Sequence, residues 1–371
     1  MSKTIEEQIQ SIEEEISNTD YNKATQQHIG RLKAKLARLR EEQEKRRSSS
    51  GSGRGYAVRK SGNATVALVG LPSVGKSTLL NLLTDANSEV SHYQFTTLDV
   101  VPGIMEHEGA RIQMLDLPGL IAGASKGKGR GREVLSVVRS ADLIVLVLDV
   151  FEANIQVLID ELEISGLRLN QSPPDVVIRR KDRGGVEIKR TVELTRIDEE
   201  TATHMVADFG LLNAEVVIRE DIDQDQLLDV LAGNRVYVDA MAVVNKVDLV
   251  SEGYLEELRA RLADFDPIMV SAEKGQGVQR LRERIFEVLD LIRVYMKPQG
   301  EEADLEEPLV VRRGSTVGDV CDQIHRDFRR NFRYANIWGR SAKFPGQTVG
   351  IDHMVQDGDI LTIVVRKESV S

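Results

Sequence analysis

The amino-acid sequence predicts an α/β protein built around a doubly wound, mostly parallel sheet. Five short apolar runs have the length and composition of buried strands. The runs are "TVALVG", "IQMLDL", "LIVLVLDV", "AMAVVNKVD" and "DPIMVSA". Loops and apolar helical patterns separate them, as expected when crossover helices join parallel strands. Most of the runs end in a candidate functional loop, and ligands of such sheets bind beyond the carboxyl ends of the strands.

Length and composition set limits on the class of protein. With 371 residues, of which 41% are hydrophobic, the chain is long enough for two or three domains with a sizeable core. Its one cysteine, Cys321, excludes an internal disulfide framework and suits a reducing compartment. No apolar run approaches the ~20 residues that span a bilayer, and the N-terminus is too charged for a secretory signal. We therefore expect a cytoplasmic protein that has no membrane partner.

The net charge of −10 is unevenly distributed along the chain. Residues 31–60 contain eleven Lys or Arg and three Glu, a net charge of +8, which leaves −18 for the remainder. A basic segment in an acidic protein favours a polyanionic partner such as RNA. A solvated helix face explains the same charges equally well, so both interpretations stay open.

The first 47 residues are predicted to form a helical hairpin. Isoleucines and leucines recur at helical spacing in two stripes, which a polar turn separates. The stripes consist of Ile5, Ile9, Ile12 and Ile16, and of Ile29, Leu32, Leu36 and Leu39. Residues 48–62, which include "SSSGSGRG", have the composition of a flexible linker.

Two further domains are predicted around the central sheet. The strands "LIVLVLDV" and "AMAVVNKVD" are too far apart for one crossover helix, so residues 172–236 are predicted to be a small α+β insert. The sheet domain then comprises residues 63–171 and 237–297. A strand, a helix and a final strand within residues 305–368 predict a compact ubiquitin-like roll.

The sequence "GLPSVGKST" (70–78) has the pattern of a phosphate-binding loop. It follows a predicted strand and leads into an apolar helix, which is the context that this motif requires. Gly70 and Gly75 permit the tight loop, whose backbone N–H groups and following helix N-terminus favour phosphate. We expect Lys76 to reach the β- and γ-phosphates and the Ser77 hydroxyl to coordinate Mg²⁺.

The motifs "NKVD" and "SAEKG" follow two later strands and predict which base is bound. The Asp248 carboxylate can accept hydrogen bonds from both N1–H and the 2-amino group of guanine, whereas adenine would leave it unpaired. Asn245 opens the motif, and Lys246 would lay its aliphatic stem over the base. The backbone N–H of Ala272 would contact the guanine O6. We therefore predict GTP and GDP as ligands.

The motifs "DLPG" and "YQFTTLDVVPG" are candidates for the γ-phosphate contact and for the first switch. Asp116 would hold Mg²⁺ through water, and the N–H of Gly119 would contact the γ-phosphate. One threonine of "FTTL" would close over Mg²⁺ when GTP is bound. We favour Thr97 over Thr96 for this contact.

Together with "DLPGLIAGASKGKGRGRE", these motifs resemble the Obg-like GTPases and, within them, the developmentally regulated GTP-binding (DRG) family. The resemblance covers nearly the whole chain. The N-terminal hairpin, the insert and the end "YANIWGRSAKFPGQTVGIDHMVQDGDILTIV" are similar to that family's helix-turn-helix, ribosomal-S5-like insert and TGS domain. The resemblance implies a P-loop GTPase domain with a C-terminal β-grasp TGS domain.

The site residues that follow from these motifs form three sets. Those expected to bind the nucleotide are Gly70, Pro72, Ser73, Val74, Gly75, Lys76, Ser77, Thr78, Phe95, Thr96, Thr97, Asp116, Leu117, Pro118, Gly119, Asn245, Lys246, Asp248, Ser271, Ala272 and Glu273. The expected Mg²⁺ ligands are Ser77, Thr97 and Asp116. The expected catalytic residues are Lys76, Thr97 and Gly119.

The resemblance also implies hydrolysis without the glutamine that orients water in the best-known small GTPases, because Leu120 occupies that position. Related enzymes use K⁺ beside the phosphates, often with an Asn in the phosphate loop. Ser73 stands at that position here, and a K⁺ site beside it is one expectation. The glycine-rich loop 123–133 supplies a second source of charge through its four Lys and Arg. Cations that simply face solvent or RNA are the simpler interpretation of that loop.

The predicted function is a GTP-hydrolysing switch that associates with ribosomes or RNA and acts in translation. Resemblance to a TGS domain points to RNA, and residues 325–343 mix six Lys or Arg with Tyr334 and Trp338, which suits phosphate contact and base stacking. Core packing is the simpler interpretation of Trp338 alone. A GTP-dependent binding module with negligible turnover is the alternative, and an RNA chaperone that needs no nucleotide is a third. The resemblance further implies a dedicated stabilising protein partner, and we expect a monomer.

Overall fold

The computed structural model describes residues 4–20, 25–49, 62–84, 101–117, 134 and 137–366. The chain divides into two compact units. One unit comprises Met1–Gly55 and Gly166–Tyr237, and the other comprises Tyr56–Ser165 and Val238–Ser371.

The helices and strands within the described residues are as follows. The helices are α1 (Ile5–Ser17), α2 (Gln26–Ser49), α3 (Lys76–Leu83), α4 (Ile155–Ile164), α5 (Glu199–Asp208), α6 (Gln224–Ala232), α7 (Glu252–Arg261), α8 (Val278–Val288), α9 (Val317–Ile324) and α10 (Arg326–Arg330). The strands are β1 (Ala64–Val69), β2 (Val101–His107), β3 (Ala110–Asp116), β4 (Leu143–Asp149), β5 (Leu167–Leu169), β6 (Val176–Arg180), β7 (Val186–Arg190), β8 (Ala214–Ile218), β9 (Val236–Asn245), β10 (Ile268–Met269), β11 (Leu291–Met296), β12 (Leu309–Arg312), β13 (Phe332–Trp338), β14 (Gln347–Val349) and β15 (Asp359–Val365).

The first unit contains the helical hairpin and the insert. Helix α1 begins with a capping box, in which the Thr4 hydroxyl accepts from the backbone N–H of Glu7 and the Glu7 carboxylate accepts from that of Thr4. The insert is a three-stranded sheet in the order β6-β8-β7, with β8 antiparallel to β6 and parallel to β7. Residues of α5 and α6 pack with one face of this sheet in a core that Ala34 of α2 also enters. The helical hairpin therefore shares the core of the insert.

The second unit contains the predicted doubly wound sheet. Its strands run in the order β10-β9-β4-β1-β3-β2, and every neighbouring pair is parallel except β2 with β3. Strands β1 and β4 are buried along their whole length, as expected for parallel strands that are covered on both faces. Because the parallel strands end at the same edge, Gly70, Asp116, Asp149 and Asn245 meet there. The predicted α/β fold is confirmed.

The C-terminal part of the second unit is a five-stranded mixed sheet in the order β12-β11-β15-β13-β14, packed with α9. Residues 291–296, which the predicted division assigns to the sheet domain, form strand β11 of this second sheet and lie between β12 and β15. The chain changes sheets just after α8, where Asp290 has a positive φ of 49°. An apolar run after a helix does not itself reveal which sheet it joins.

The β2–β3 turn contacts the start of the five-stranded sheet within this unit. Glu108 at the turn forms an ion pair with Arg293 of β11 at 2.5 Å, and Arg293 also pairs with Asp357 at 2.9 Å. A Cβ on Gly109, which has a φ of +78°, would lie 2.4 Å from Cγ of Pro308. The turn is therefore closely fitted to this surface and requires glycine at residue 109.

None of the helices in the described ranges is long and apolar enough to cross a membrane.

Candidate nucleotide-binding site

The phosphate-binding loop lies between β1 and α3, where the motif requires it. Two of its glycines are sterically necessary. A Cβ on Gly70 would lie 2.2 Å from the carbonyl oxygen of Val147, and one on Gly75 would lie 2.3 Å from Nδ2 of Asn245. Gly75 also has a φ of +95° as it caps α3. The loop is thus packed directly against the ends of β4 and β9.

Lys76 lies folded over this loop. Its Nζ donates to the carbonyl oxygens of Gly70 and Leu71 at 3.0 and 2.9 Å, and the residue is only 7% exposed. Burial lowers the pKa of the ammonium, an effect that the neighbouring carboxylate of Asp116 partly opposes. A buried cation with only two carbonyl acceptors is suited to exchange them for phosphate oxygens.

Ser77 and Asp116 lie together at the start of α3 and the end of β3. The Ser77 hydroxyl donates a hydrogen bond to Oδ2 of Asp116, which is buried. A hydroxyl and a carboxylate supply the hard oxygen ligands that Mg²⁺ prefers, so these residues fit that ion. Within the described ranges no three His, Cys, Asp or Glu side chains cluster as a metal site. The pair formed by Ser77 and Asp116 is nevertheless sufficient for Mg²⁺, which is commonly held by one or two protein oxygens together with the substrate phosphates.

Asn245 connects the three loops of the site. Its Nδ2 donates to the Val74 carbonyl oxygen at 2.9 Å, and its Oδ1 accepts from the backbone N–H groups of Lys246 and Ala272 at 2.8 and 2.9 Å. The side chain is buried, and three of its four hydrogen-bonding positions are used. Asn245 therefore fixes the base-binding loops against the phosphate-binding loop.

Asp149 at the end of β4 is a site residue that the sequence analysis missed. It is buried, and its carboxylate accepts from Nζ of Lys246 at 2.6 Å and from the backbone N–H groups of Phe151 and Glu152 at 3.0 and 2.9 Å. Burial acts to raise the pKa of Asp149, but these hydrogen bonds outweigh it, so the pKa is lowered. Lys246 in turn donates to the Ser73 carbonyl oxygen at 3.1 Å. The ammonium group of the lysine predicted to cover the base is thus held between Asp149 and the backbone of Ser73.

Asp248, which is predicted to select guanine, has polar and charged neighbours. Asp248 is 8% exposed in its side chain and accepts a hydrogen bond from Ser271, with Nζ of Lys274 at 3.2 Å. The Ser271 hydrogen bond is the main cause of a lowered pKa of Asp248, and Lys274 adds to it. An ionised carboxylate can only accept, which is what two neighbouring guanine donors require.

The other predicted site residues are placed as follows. Pro72, Ser73, Thr78 and Glu273 are exposed at the same edge, and Leu117 is buried. Ser73 and Lys246 both have a positive φ, of 66° and 65°. Phe95, Thr96, Thr97, Pro118 and Gly119 lie outside the described residues, as do Leu120 and the loop 123–133.

Comparison with known families matches the chain in three parts. Residues 65–180 match the family described as "50S ribosome-binding GTPase", and residues 292–365 match the TGS domain. Between them, residues 183–291 match the C-terminal region of that GTPase domain.

Relatives of similar length extend over nearly the whole chain. An uncharacterised GTP-binding protein of Methanocaldococcus jannaschii is 58% identical over 98% of this chain and 93% of that protein. Developmentally-regulated G-protein 2 of Arabidopsis thaliana is 43% identical over 98% of this chain and 92% of that protein. Human developmentally-regulated GTP-binding protein 2 is 42% identical over 96% of this chain and 98% of that protein.

The chain is a P-loop GTPase by fold and carries a C-terminal TGS domain, as its loop arrangement and these matches show. Within that class the chain belongs to the developmentally regulated GTP-binding protein family. The family predicted from the motifs is confirmed.

Proposed function

We propose that this protein is a Mg²⁺-dependent GTP-hydrolysing switch that associates with ribosomes or RNA and acts in translation in the cytoplasm. One observation carries the nucleotide part of the proposal. Asn245 joins the phosphate loop, the Lys246 backbone and the Ala272 backbone through three hydrogen bonds. Such a junction lets a single ligand contact all three loops without further ordering of this edge.

Each described residue then has a role. Lys76 binds the β- and γ-phosphates, and Ser77 and Asp116 hold Mg²⁺, which neutralises phosphate charge when it is bound. Asp248 accepts from the guanine N1–H and 2-amino group, and the backbone N–H of Ala272 donates to O6. Thr97 closes over Mg²⁺ when GTP is bound, and the Gly119 N–H contacts the γ-phosphate; both residues lie outside the described ranges. The roles of Lys76, Asp116 and Asp248 are supported by their position at one sheet edge.

Leu120 cannot orient the attacking water by hydrogen bonding, because its side chain has no polar atom. Hydrolysis then depends on positioning and on positive charge at the phosphates. We propose that K⁺ beside Ser73 and a macromolecular partner supply that charge. The exposure of Ser73 at the loop supports access for an ion. A protein partner that stabilises the chain belongs to the same proposal.

The ribosome part is supported by the description of the family that matches residues 65–180 and by the TGS domain. Tyr334 and Trp338 lie on strand β13, and the Trp338 ring faces Nζ of Lys297 at 5.3 Å. This cation–π contact engages Trp338 within the chain. The neighbouring arginines of residues 325–343 are therefore better candidates for RNA contact than Trp338.

The test is GTP turnover by the purified protein in matched KCl and NaCl, with and without ribosomes. We expect slow turnover in NaCl, faster turnover in KCl and a further increase with ribosomes. Fast turnover in NaCl by the protein alone would contradict the proposal. Tight GTP binding without turnover under any condition would favour the alternative, a binding module whose output is occupancy.

A further inference from the structure

The insert carries an unusual distribution of charge. Between residues 166 and 237 there are ten Lys or Arg and fourteen Asp or Glu, a net charge of −4. Seven of the ten cations form ion pairs with acids of the insert. The other three are Arg179, Arg180 and Arg183, for which the described residues provide no ion pair within 4.0 Å. Among the residues that the structure describes, an insert with acids in excess thus leaves three arginines of one short segment without an ion pair.

Arg179 and Arg180 are the last two residues of β6, where successive side chains alternate between the faces, and Arg183 lies in the turn that follows. The β6–β7 arch is defined here as residues 179–185, the end of β6 and this turn. The arch crosses the start of β8, because β8 lies between β6 and β7 in the sheet. Asn213 fixes it: the Lys181 N–H donates to the Asn213 carbonyl oxygen at 3.0 Å, and the Gly185 N–H donates to Asn213 Oδ1 at 2.9 Å. The N–H of Ala214 in turn donates to the Gly185 carbonyl oxygen at 3.1 Å. The backbone beneath the arginines is therefore ordered in advance.

The surface of the arch is open. Arg179, Arg180 and Arg183 are exposed, and a Cβ built on Gly184 or Gly185 would meet nothing within 4 Å. A partner can therefore approach the backbone closely at these two glycines. The segment "RRKDRGG" contains no apolar side chain. A protein partner needs buried anchors over about 800 Å² per side, whereas a phosphate backbone is bound by charge and planar guanidinium donors.

We propose that the β6–β7 arch is a docking site for the sugar-phosphate backbone of RNA, with Arg179, Arg180 and Arg183 as the phosphate contacts. The proposal rests on the proposed association with ribosomes or RNA and assigns part of it to the insert. The site recognises phosphate and not sequence, since guanidinium contacts to the backbone position a protein without reading bases. It is separate in sequence from the residues proposed to bind GTP.

The experiment compares the full-length protein with a triple variant carrying Arg179→Gln, Arg180→Gln and Arg183→Gln. The matched control carries Lys189→Gln, Arg190→Gln and Arg219→Gln, which removes equal charge from exposed, paired cations of the same insert. The probes are a fluorescein-labelled hairpin RNA and, separately, purified large ribosomal subunits. Affinity is measured as a function of salt. Thermal unfolding and GDP affinity establish that both variants are folded.

We expect the arch variant to lose at least about tenfold in affinity at ~0.1 M salt. Its salt slope should fall by about 2 to 3, since each of the three phosphate contacts contributes about 0.7 to 0.9. The control should stay within about threefold of the parent, because it changes the net charge by the same amount but leaves the three arginines of the arch in place. Equal affinity and slope for parent and arch variant would overturn the proposal while leaving the ribosome association intact. A parent that binds neither probe would instead overturn the proposed function. Displacement of RNA from the parent by poly-glutamate at equal charge would identify an acidic-protein site and would also overturn the proposal.

Discussion

Two regions of the molecule hold their charged and polar groups in different ways. At the carboxyl edge of the doubly wound sheet, Lys76, Asp116, Asp149 and Asn245 are all at most 7% exposed, and each has named hydrogen-bond partners. On the outer face of the insert sheet, Lys189 pairs with Glu215 at 2.5 Å, and the lysine remains 53% exposed in its side chain.

The difference lies in what each arrangement costs. Burial of a polar or charged group is unfavourable unless its partners replace water, so such groups persist where binding or catalysis needs them. Exposed ion pairs gain little because water and salt screen them. Substitutions at the buried edge should therefore change nucleotide affinity strongly. Substitutions in the exposed ion pairs of the insert face should change nucleotide affinity and stability very little.

The largest effect is expected from Asn245→Ala. The substitution removes the partners of Val74, Lys246 and Ala272, at about 1 to 3 kcal/mol for each group left unpaired. We expect GDP affinity to fall at least about 100-fold, measured with a fluorescent GDP analogue. Asn336→Ala is the matched control, because the Asn336 amide oxygen accepts a hydrogen bond from the Thr348 hydroxyl on the five-stranded sheet, away from the nucleotide site. A loss of less than about threefold would show that the three loops are positioned without Asn245.

Asp248→Asn should change the preferred base. An amide offers one donor and one acceptor edge, which pairs with the 2-oxo group of xanthine and not with the 2-amino group of guanine. We expect GTP affinity to fall about 100-fold and XTP affinity to rise, measured by competition against the same analogue. An unchanged preference for GTP would contradict the guanine assignment.

Asp149→Asn should act through Lys246 and have a smaller effect. Asparagine keeps an acceptor for the Phe151 and Glu152 N–H groups but loses the charge that holds the ammonium. We expect about tenfold weaker GDP binding, mainly through faster dissociation, and almost no additional loss when the change is made on Lys246→Met. Asp160→Asn on the exposed face of α4 is the control.

Additive losses in that double-mutant cycle would show that Asp149 acts independently of the lysine.

The pH dependence gives a second test of the role of Asp149. Because the pKa of Asp149 is lowered, its carboxylate is ionised above the ordinary value near 3.8, and its contribution disappears only as the pH falls through the lower native pKa. The ratio of parent to variant affinities should therefore be constant between about pH 5 and 8.

The smallest effect is expected from Glu215→Gln on the insert face. Glutamine keeps an acceptor for Lys189, and the ion pair that is lost is exposed. We expect the thermal unfolding midpoint to shift by less than about 2 °C and GDP affinity to stay unchanged. A shift above about 5 °C would mean that exposed charges on this sheet contribute as buried ones do.

The positions of the candidate phosphate- and base-binding loops could be predicted because the order and strand context of their motifs are specific. "GLPSVGKST", "NKVD" and "SAEKG" each follow a strand, and the structure brings Val74, Asn245 and Ala272 together as that context requires. Asp149 could not be found in this way, because an acid after an apolar strand is equally typical of an ordinary turn. Its role depends on the pairing of β4 with β9, which brings Asp149 beside Asn245 and which the local sequence does not reveal. The position of Leu291–Met296 in the second sheet was missed for the same reason. A local pattern of apolar residues predicts a strand but does not identify the strands with which it pairs.

The β2–β3 turn held by Arg293 and Pro308 has a mechanical consequence. Strand β3 runs from that turn to Asp116, which contacts Ser77, over about 20 Å at the usual rise per residue. The two strands cannot slide past each other easily, because a slip of one residue between β2 and β3 would turn every side chain to the other face. We therefore expect the β2–β3 hairpin to move as one rigid unit. We expect a displacement of Asp116 along the strand to be transmitted to Glu108 and Gly109, which lie against Arg293 of β11 and Pro308. Strand β3 thus links Asp116, the proposed Mg²⁺ ligand, to the TGS domain.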